Sequence, residues 1–175
     1  HGRLKASVYY KKGGEDFPTV GDFVQIDHIP DGDSRIVATL PRRTYFARRD
    51  PAPGRRGQAV AANFDYVFIM QSFNQDFNPK RLERYLTLAR QSDAIPVILL
   101  AKADLAGDHG SYLRAVQKVA AGVDAFAVSA KTGVGFDALS EYLKSRKTIV
   151  LLGSSGVGKS SLLNKLLGED AMAVN

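Results

Sequence analysis

The sequence predicts an α/β parallel-sheet domain over residues 61–175, preceded over residues 1–60 by a small all-β domain, an antiparallel barrel or sheet. Three observations predict it. Beyond residue 60, apolar runs of strand length alternate with stretches of helical period, the pattern of a parallel sheet covered on both faces. Before residue 60, short β-prone runs are separated by turn residues, with no convincing helix among them. Near the C-terminal end, GSSGVGKS stands between the apolar run Thr148–Leu152 and the leucine-rich stretch Ser161–Leu167, a strand, a glycine loop and a helix in succession.

The N-terminal runs are Leu4–Tyr10, Phe23–Ile29, Arg35–Leu40 and Thr44–Ala47, punctuated by Gly13-Gly14, Pro18 and Pro30-Asp31-Gly32-Asp33. An OB-type barrel needs five strands and four are visible, so one is hidden or the barrel is incomplete at its N-terminus. Residues 1–63 hold 11 Lys/Arg against 7 Asp/Glu, and within Pro41–Gly57 there are six arginines and one aspartate. The pairs Arg42-Arg43, Arg48-Arg49 and Arg55-Arg56 interleave with Tyr45 and Phe46. Guanidinium groups for phosphates beside rings for bases suit an RNA-binding surface. A solvated edge strand that uses charge against aggregation would look the same. Asp50–Gly54 is proline- and glycine-rich and is expected to be a linker or loop.

Composition excludes several classes. A chain of 175 residues with 45% apolar content can bury a core. It has no apolar run of membrane-spanning length and no cleavable leader pattern, so no membrane partner is expected. The absence of cysteine excludes a disulfide framework and thiolate metal sites, and fits a cytoplasmic location. His1, His28 and His109 are scattered and are expected to be solvated loop residues.

The second part opens on Phe64–Met70, an almost continuous apolar run expected to be a strand buried on both faces. Asn78 is a suitable N-cap, Pro79 fits the first helical position, and Leu82, Tyr85, Leu86 and Ala89 repeat at helical spacing. Phe77 and Leu82 stand at staple positions. A second strand, Ile95–Leu100, runs into Ala101-Lys102-Ala103-Asp104, and a helix is expected from about Ser111 to Ala121, stopped by Gly122. A third strand, Asp124–Val128, leads into Ser129-Ala130-Lys131. Phe136, Leu139 and Leu143 predict a further helix before the fourth strand, Thr148–Leu152. Ligands of such sheets bind at the carboxyl ends of strands, and all three polar loops follow a strand, so they can converge on one ligand.

The last loop, Gly153-Ser154-Ser155-Gly156-Val157-Gly158-Lys159-Ser160, matches G-x-x-x-x-G-K-[ST]. Glycines in this pattern let backbone N–H groups surround phosphate oxygens at the positive end of a helix. Lys159 would reach the outer phosphates, Ser160 would hold a magnesium ion, and Ser161 could bond an outer phosphate. In the earlier loops, the carboxylate of Asp104 can accept two hydrogen bonds from the N1–H and exocyclic amine of guanine, a donor pair adenine does not present on that edge. The stem of Lys102 can lie along the base, and the N–H of Ala130 can donate to the guanine O6. The expected guanine-binding residues are Ala101, Lys102, Ala103, Asp104, Ser129, Ala130 and Lys131.

In an ordinary GTPase the phosphate loop comes first and the base-reading loops last; here AKAD and SAK precede it. In this order, and in VGDFVQID (20–27), LPRRTYFAR (40–48), AVAANFDYVFIM (59–70), DFNPKRLERYLTLA (76–89) and GSSGVGKSSLLNKLL (153–167), the chain resembles the RsgA (YjeQ/YloQ) family of circularly permuted GTPases. The resemblance covers essentially the whole chain. It implies an N-terminal OB barrel, a permuted GTPase domain and GTP hydrolysis to GDP in late maturation of the small ribosomal subunit. It also implies magnesium with GTP or GDP, and binding of ribosomal RNA through the basic barrel.

Two departures from the family pattern shape the expectations. The base-reading motif is usually N-K-x-D, and Ala101 stands in its first position. Loss of one or two amide bonds costs about 1–3 kcal/mol, so nucleotide should bind more weakly than in a relative with asparagine, with guanine still preferred through Asp104. In addition, fifteen residues follow Ser160, without the D-x-x-G of the switch region or the zinc-binding segment that the family carries further on. The permuted GTPase domain is therefore expected to be incomplete and this chain alone weakly active. A non-catalytic RNA- or ribosome-binding module, with nucleotide as a conformational ligand, is the alternative.

Overall fold

The computed structural model describes residues 2–5, 17–48, 58–74, 77–169 and 171–172, and the chain divides into two compact units, His1–Phe64 and Asp65–Asn175. The first unit contains, among the described residues, β1 (Gly2–Leu4), β2 (Val24–Asp27), β3 (Ser34–Thr39), β4 (Tyr45–Arg48) and β5 (Gln58–Ala62). β3 lies between a parallel β1 and an antiparallel β2, while β4 and β5 form a separate antiparallel pair. The described strands thus make two sheets rather than a closed barrel. β5 is the strand hidden in the sequence, because its QAVAA stretch is built mostly from alanine, which has low strand propensity. Most of the expected run Leu4–Tyr10 lies outside the described residues.

Local polar contacts hold this unit's turns. Asn63, at φ 55°, accepts from the N–H of Arg43 at 2.9 Å and donates to the carbonyl of Gly21 at 3.0 Å. The buried Thr44 hydroxyl donates to the carbonyl of Phe64 at 2.6 Å. Among the described residues of this unit Ala59, Ala62 and Phe64 are the buried apolar ones, and the ring of Phe46 stacks on that of Phe64 with centroids 4.8 Å apart.

The second unit contains β6 (Tyr66–Ser72), α1 (Pro79–Gln91), β7 (Ile95–Ala101), α2 (His109–Val119), β8 (Ala125–Ala127), β9 (Ile149–Gly153) and α3 (Lys159–Leu167). Its four described strands are all parallel, in the order β8-β7-β6-β9. From β6 the chain steps through α1 to β7 and through α2 to β8, then returns past β6 to β9. Right-handed crossovers accordingly place α1 and α2 on one face and α3 on the other. On the α3 face, Phe68, Met70, Val97 and Leu99 pack with Leu139, Val157 and Leu162. The alternate strand residues Val67, Ile69, Ile98 and Leu100, with Leu82, Leu86, Ala89 and Val116 of the helices, are equally buried. Each such large apolar side chain contributes about 1.5–3 kcal/mol relative to exposure.

The helix starts follow their caps. Asn78 Oδ1 accepts from the N–H of Arg81 at 3.0 Å ahead of Pro79. Asp108 Oδ1 accepts from Gly110 at 2.8 Å, so α2 begins at His109, earlier than the expected Ser111.

The helix expected over Phe136, Leu139 and Leu143 is instead a single 3₁₀ turn, Asp137–Leu139, followed by irregular turns. The N–H groups of Leu139, Ser140 and Tyr142 each bond three residues back. Tyr142 explains the difference: its ring meets those of Tyr66, Phe68 and Phe126 edge-on, and its hydroxyl donates to Asp124 at 2.6 Å. Packing of that one ring overrides the helical period of its neighbours.

Candidate functional site

The loops leaving the carboxyl ends of β7, β8 and β9 meet at one cavity of about 140 Å³. Ala101, Lys102 and Asp104 line it from the first loop, Ala130 and Lys131 from the second, and Gly158 and Ser161 from the third. Met70, Val128 and Leu162 supply apolar wall. A wider groove of about 530 Å³ shares Ala130, Lys131 and Ser161 with this cavity and runs along α3 to Asn164, Lys165 and Glu169.

The glycine loop owes its shape to its sequence. At Gly153 a Cβ would stand 2.9 Å from Val157 Cγ1 and 3.0 Å from the carbonyl oxygen of Met70, so only glycine lets the loop leave β9 at this closeness. Gly158, at φ 109°, turns the chain into α3, and its carbonyl accepts the N–H of Leu162 at 2.9 Å. Val157 is buried in the apolar cluster and anchors the loop from below. Lys159 Nζ donates to the carbonyls of Gly153 and Ser154, at 2.9 and 2.7 Å. Lys102 Nζ donates to the carbonyl of Gly156 at 2.9 Å, which ties the loop after β7 to the loop after β9. Ser160 and Ser161 stand half-buried in the first turn of α3, whereas Ser155 is exposed.

Lys102 adopts a left-handed conformation, φ 60° and ψ 39°, and a 3₁₀ turn follows at Ala103–Leu105. The N–H of Ala103 donates to the carbonyl of Val128 at 3.1 Å, pinning this turn to the end of β8. Asp104 Oδ1 accepts from the hydroxyl of the fully buried Ser129 at 2.6 Å. That bond, with the residue's own backbone N–H and nearby Lys131, holds the Asp104 carboxyl below its ordinary pKa against the opposing effect of desolvation. Ser129 Oγ also accepts the N–H of Thr132 at 3.2 Å, closing the loop over Ala130 and Lys131.

Among the described residues no group of three or more His, Cys, Asp or Glu could hold a metal ion. No described helix is long and apolar enough to cross a membrane. The family model described as RsgA GTPase matches residues 39–175. The chain belongs to the RsgA GTPase family. It is 47% identical over 169 residues to the small ribosomal subunit biogenesis GTPase RsgA 1 of Listeria monocytogenes, covering 97% of this chain and 47% of that protein. It is 46% identical over 153 residues to the RsgA of Methanosarcina acetivorans, covering 87% of this chain and 42% of that one. Among solved structures it is similar to YjeQ from Thermotoga maritima, with a TM-score of 0.70 and 29% identity over 94% of this chain and 55% of the other. YloQ, a circularly permuted GTPase, gives a TM-score of 0.63 and 27% identity, covering 93% of this chain and 54% of the other. The chain spans about half the length of the curated relatives it matches.

Two residues that the sequence reading does not assign to the site support it. His109, expected to be a solvated loop residue, opens α2, and its Nε2 lies 2.8 Å from the carbonyl oxygen of Ala103. A carbonyl only accepts, so Nε2 carries the hydrogen. The ring lies against Phe73, which with Phe77 also meets Tyr112 edge-on. The available signal was the three-residue spacing of His109 and Tyr112, one helical face. Asn164, buried in α3, donates to the carbonyl of Met172 and accepts its N–H, both at 2.8 Å, fixing the chain beyond the helix.

The arginine and aromatic residues singled out in the first unit separate into different environments. The guanidinium of Arg42 makes a bidentate pair with Asp22, Nε to Oδ1 at 2.8 Å and Nη2 to Oδ2 at 2.7 Å, and also donates to the carbonyl of Phe17. The Asp22 side chain is fully buried and that of Arg42 only 12% exposed, so this arginine holds the fold rather than facing solvent. Phe46 is likewise turned inward onto Phe64. Tyr45 is partly exposed, with Arg42 over its ring at 5.8 Å, and Arg43 is exposed. Arg48 ends β4, while Arg49, Arg55 and Arg56 lie outside the described residues.

Proposed function

We propose that this chain is the guanine-nucleotide-binding part of a GTPase that hydrolyses GTP to GDP and phosphate during maturation of the small ribosomal subunit, in the cytoplasm. The observation that supports it is the meeting of the AKAD, SAK and GSSGVGKS loops at one cavity. In this reading Asp104 accepts from the N1–H and exocyclic amine of guanine, Lys102 lies along the base, and the Ala130 N–H donates to O6. Ala101, Ala103, Ser129 and Lys131 complete the base side. The N–H groups from Ser154 to Ser161 face the phosphates, and Lys159 exchanges its contacts with Gly153 and Ser154 for phosphate oxygens.

Magnesium fits this donor set. With no acidic cluster among the described residues, the ion would be held by the Ser160 hydroxyl and nucleotide oxygens rather than by a protein cage. When bound, it neutralises charge on the phosphates. The names of the relatives point to the small subunit as partner. Residues 1–60, proposed as an OB-type barrel with residues 61–175 as the permuted GTPase domain, would contact ribosomal RNA through Arg43, Tyr45, Arg48, Arg49, Arg55 and Arg56. Competition against labelled GDP tests the nucleotide reading: GTP should displace it and ATP should not, and displacement by ATP at equal concentration refutes it.

A further inference from the structure

Charge in the second unit is segregated. α1 and α2 pack against each other on one face of the sheet. They carry Lys80, Arg81, Arg84, Arg90, Arg114 and Lys118 against a single acid, Glu83, whereas the rest of residues 65–175 holds seven Lys/Arg against ten Asp/Glu. The unit's whole positive excess therefore lies on this helix pair. Lys80, Arg84, Arg90, Arg114 and Lys118 are exposed, and Lys80 with Arg84, like Arg114 with Lys118, are one turn apart. The bordering acids lie at the helix ends: Asp93 just after α1, and Asp108, whose carboxylate caps α2 by accepting from the N–H groups of Gly110 and Ser111.

The chemistry of the face narrows its partner. Leu88 is the large apolar residue that α1 and α2 expose among those described, which is too little to enter a lipid interface. Tyr85 and Tyr112 are half-buried, and the ring of Tyr112 is occupied by Phe73 and Phe77, so the face offers no platform for unstacked bases. What it offers is two pairs of cations, each at one-turn spacing, together with Arg90, which match phosphates and read no sequence. We propose that the α1–α2 face docks the phosphate backbone of double-helical RNA. The choice of RNA over DNA rests on the small-subunit reading; the choice of a duplex backbone rests on the face itself.

The test is binding of the whole chain to two 24-base-pair RNA duplexes of unrelated sequence, and to a DNA duplex, across a salt series. The combined substitution Lys80→Ala, Arg84→Ala, Arg90→Ala, Lys118→Ala should weaken both RNA duplexes about tenfold or more, and flatten the plot of log affinity against log salt by about 1 for each phosphate contact removed. Exchanging lysine for arginine and arginine for lysine at the same four positions should retain the affinity, separating charge from fold. Unchanged RNA affinity and salt slope in the alanine variant overturn the proposal, as does tighter binding of the parent chain to DNA. So does a loss confined to anionic vesicles or acidic peptide. GDP titration of the same variant keeps the two readings apart: failure to bind GDP counts against the nucleotide site alone.

Discussion

In the sheet unit, Lys102, Asp104 and Ser161 stand at the carboxyl ends of parallel strands, around one cavity. In the N-terminal unit, Arg42 is directed inward onto Asp22 and Phe46 onto Phe64. Both regions carry a dense run of chemically capable side chains. The difference lies in what positions them. A parallel sheet delivers every strand-to-helix loop to the same edge, so polar residues in those loops gather by topology. A small β unit must satisfy its own turns and edges, and it recruits arginine and aromatic residues to do so.

Arg42→Ala tests that division with the largest expected effect. Removing the guanidinium leaves the buried Asp22 carboxylate with the Thr19 N–H, at 2.8 Å, as its remaining described partner. Breaking such a pair costs about 3–5 kcal/mol, so amide exchange in β4 and β5 should accelerate while that in β6 and β7 stays unchanged. If the variant keeps its exchange protection and loses only RNA affinity, Arg42 is a surface phosphate reader and the contrast between the units collapses.

The same contrast explains what could be read from residues alone. Buried parallel strands are nearly continuous apolar runs, so β6, β7 and β9 were found within two residues, and the loops after them followed. Asn78 marked the start of α1 correctly because a cap acts locally. Three features escaped because they depend on distant partners. β5 is alanine-rich and becomes a strand by pairing with β4. The stretch around Leu139 loses its helical period to the packing of Tyr142. His109 matters through a carbonyl six residues back and a ring from the end of β6. Arg42 belongs with them: nothing in Pro41–Gly57 reveals a carboxylate twenty residues upstream.

Within the sheet unit the comparison sharpens into one between loops. Asp104→Ala removes two acceptors from guanine while leaving the phosphate loop intact. It should weaken GDP by about 2 kcal/mol, some 30-fold, with little change for ADP, as titration calorimetry would show. An equal loss for both nucleotides would mean that the variant disturbs the phosphate side. Ala101→Asn goes in the opposite direction. Ala101 is buried beside Gly158, its Cβ 3.9 Å from where a glycine Cβ would stand, so an amide there can reach the base and the phosphate loop. A gain of about 1 kcal/mol in GTP affinity is expected, and unchanged affinity would show that Lys102 already supplies the tie between the loops.

The smallest effect is a shift in pH dependence, and it isolates one hydroxyl. Ser129 is the largest cause lowering the Asp104 pKa from its ordinary 3.8. A carboxylate whose folded pKa is depressed keeps its charge as pH falls through the ordinary range, and its contribution is lost only when pH falls through the lowered value. Guanine recognition needs the ionised form, so GDP affinity in the parent should hold to acidic pH. Ser129→Ala removes the donor, the pKa rises, and the acid limb of a GDP titration moves toward higher pH. At neutral pH both carboxylates are fully ionised, so any remaining difference there reports the lost bonds of Ser129 to Asp104 and Thr132, which position the two loops, and not the charge of Asp104. Superimposable acid limbs would show that Ser129 only shapes its loop.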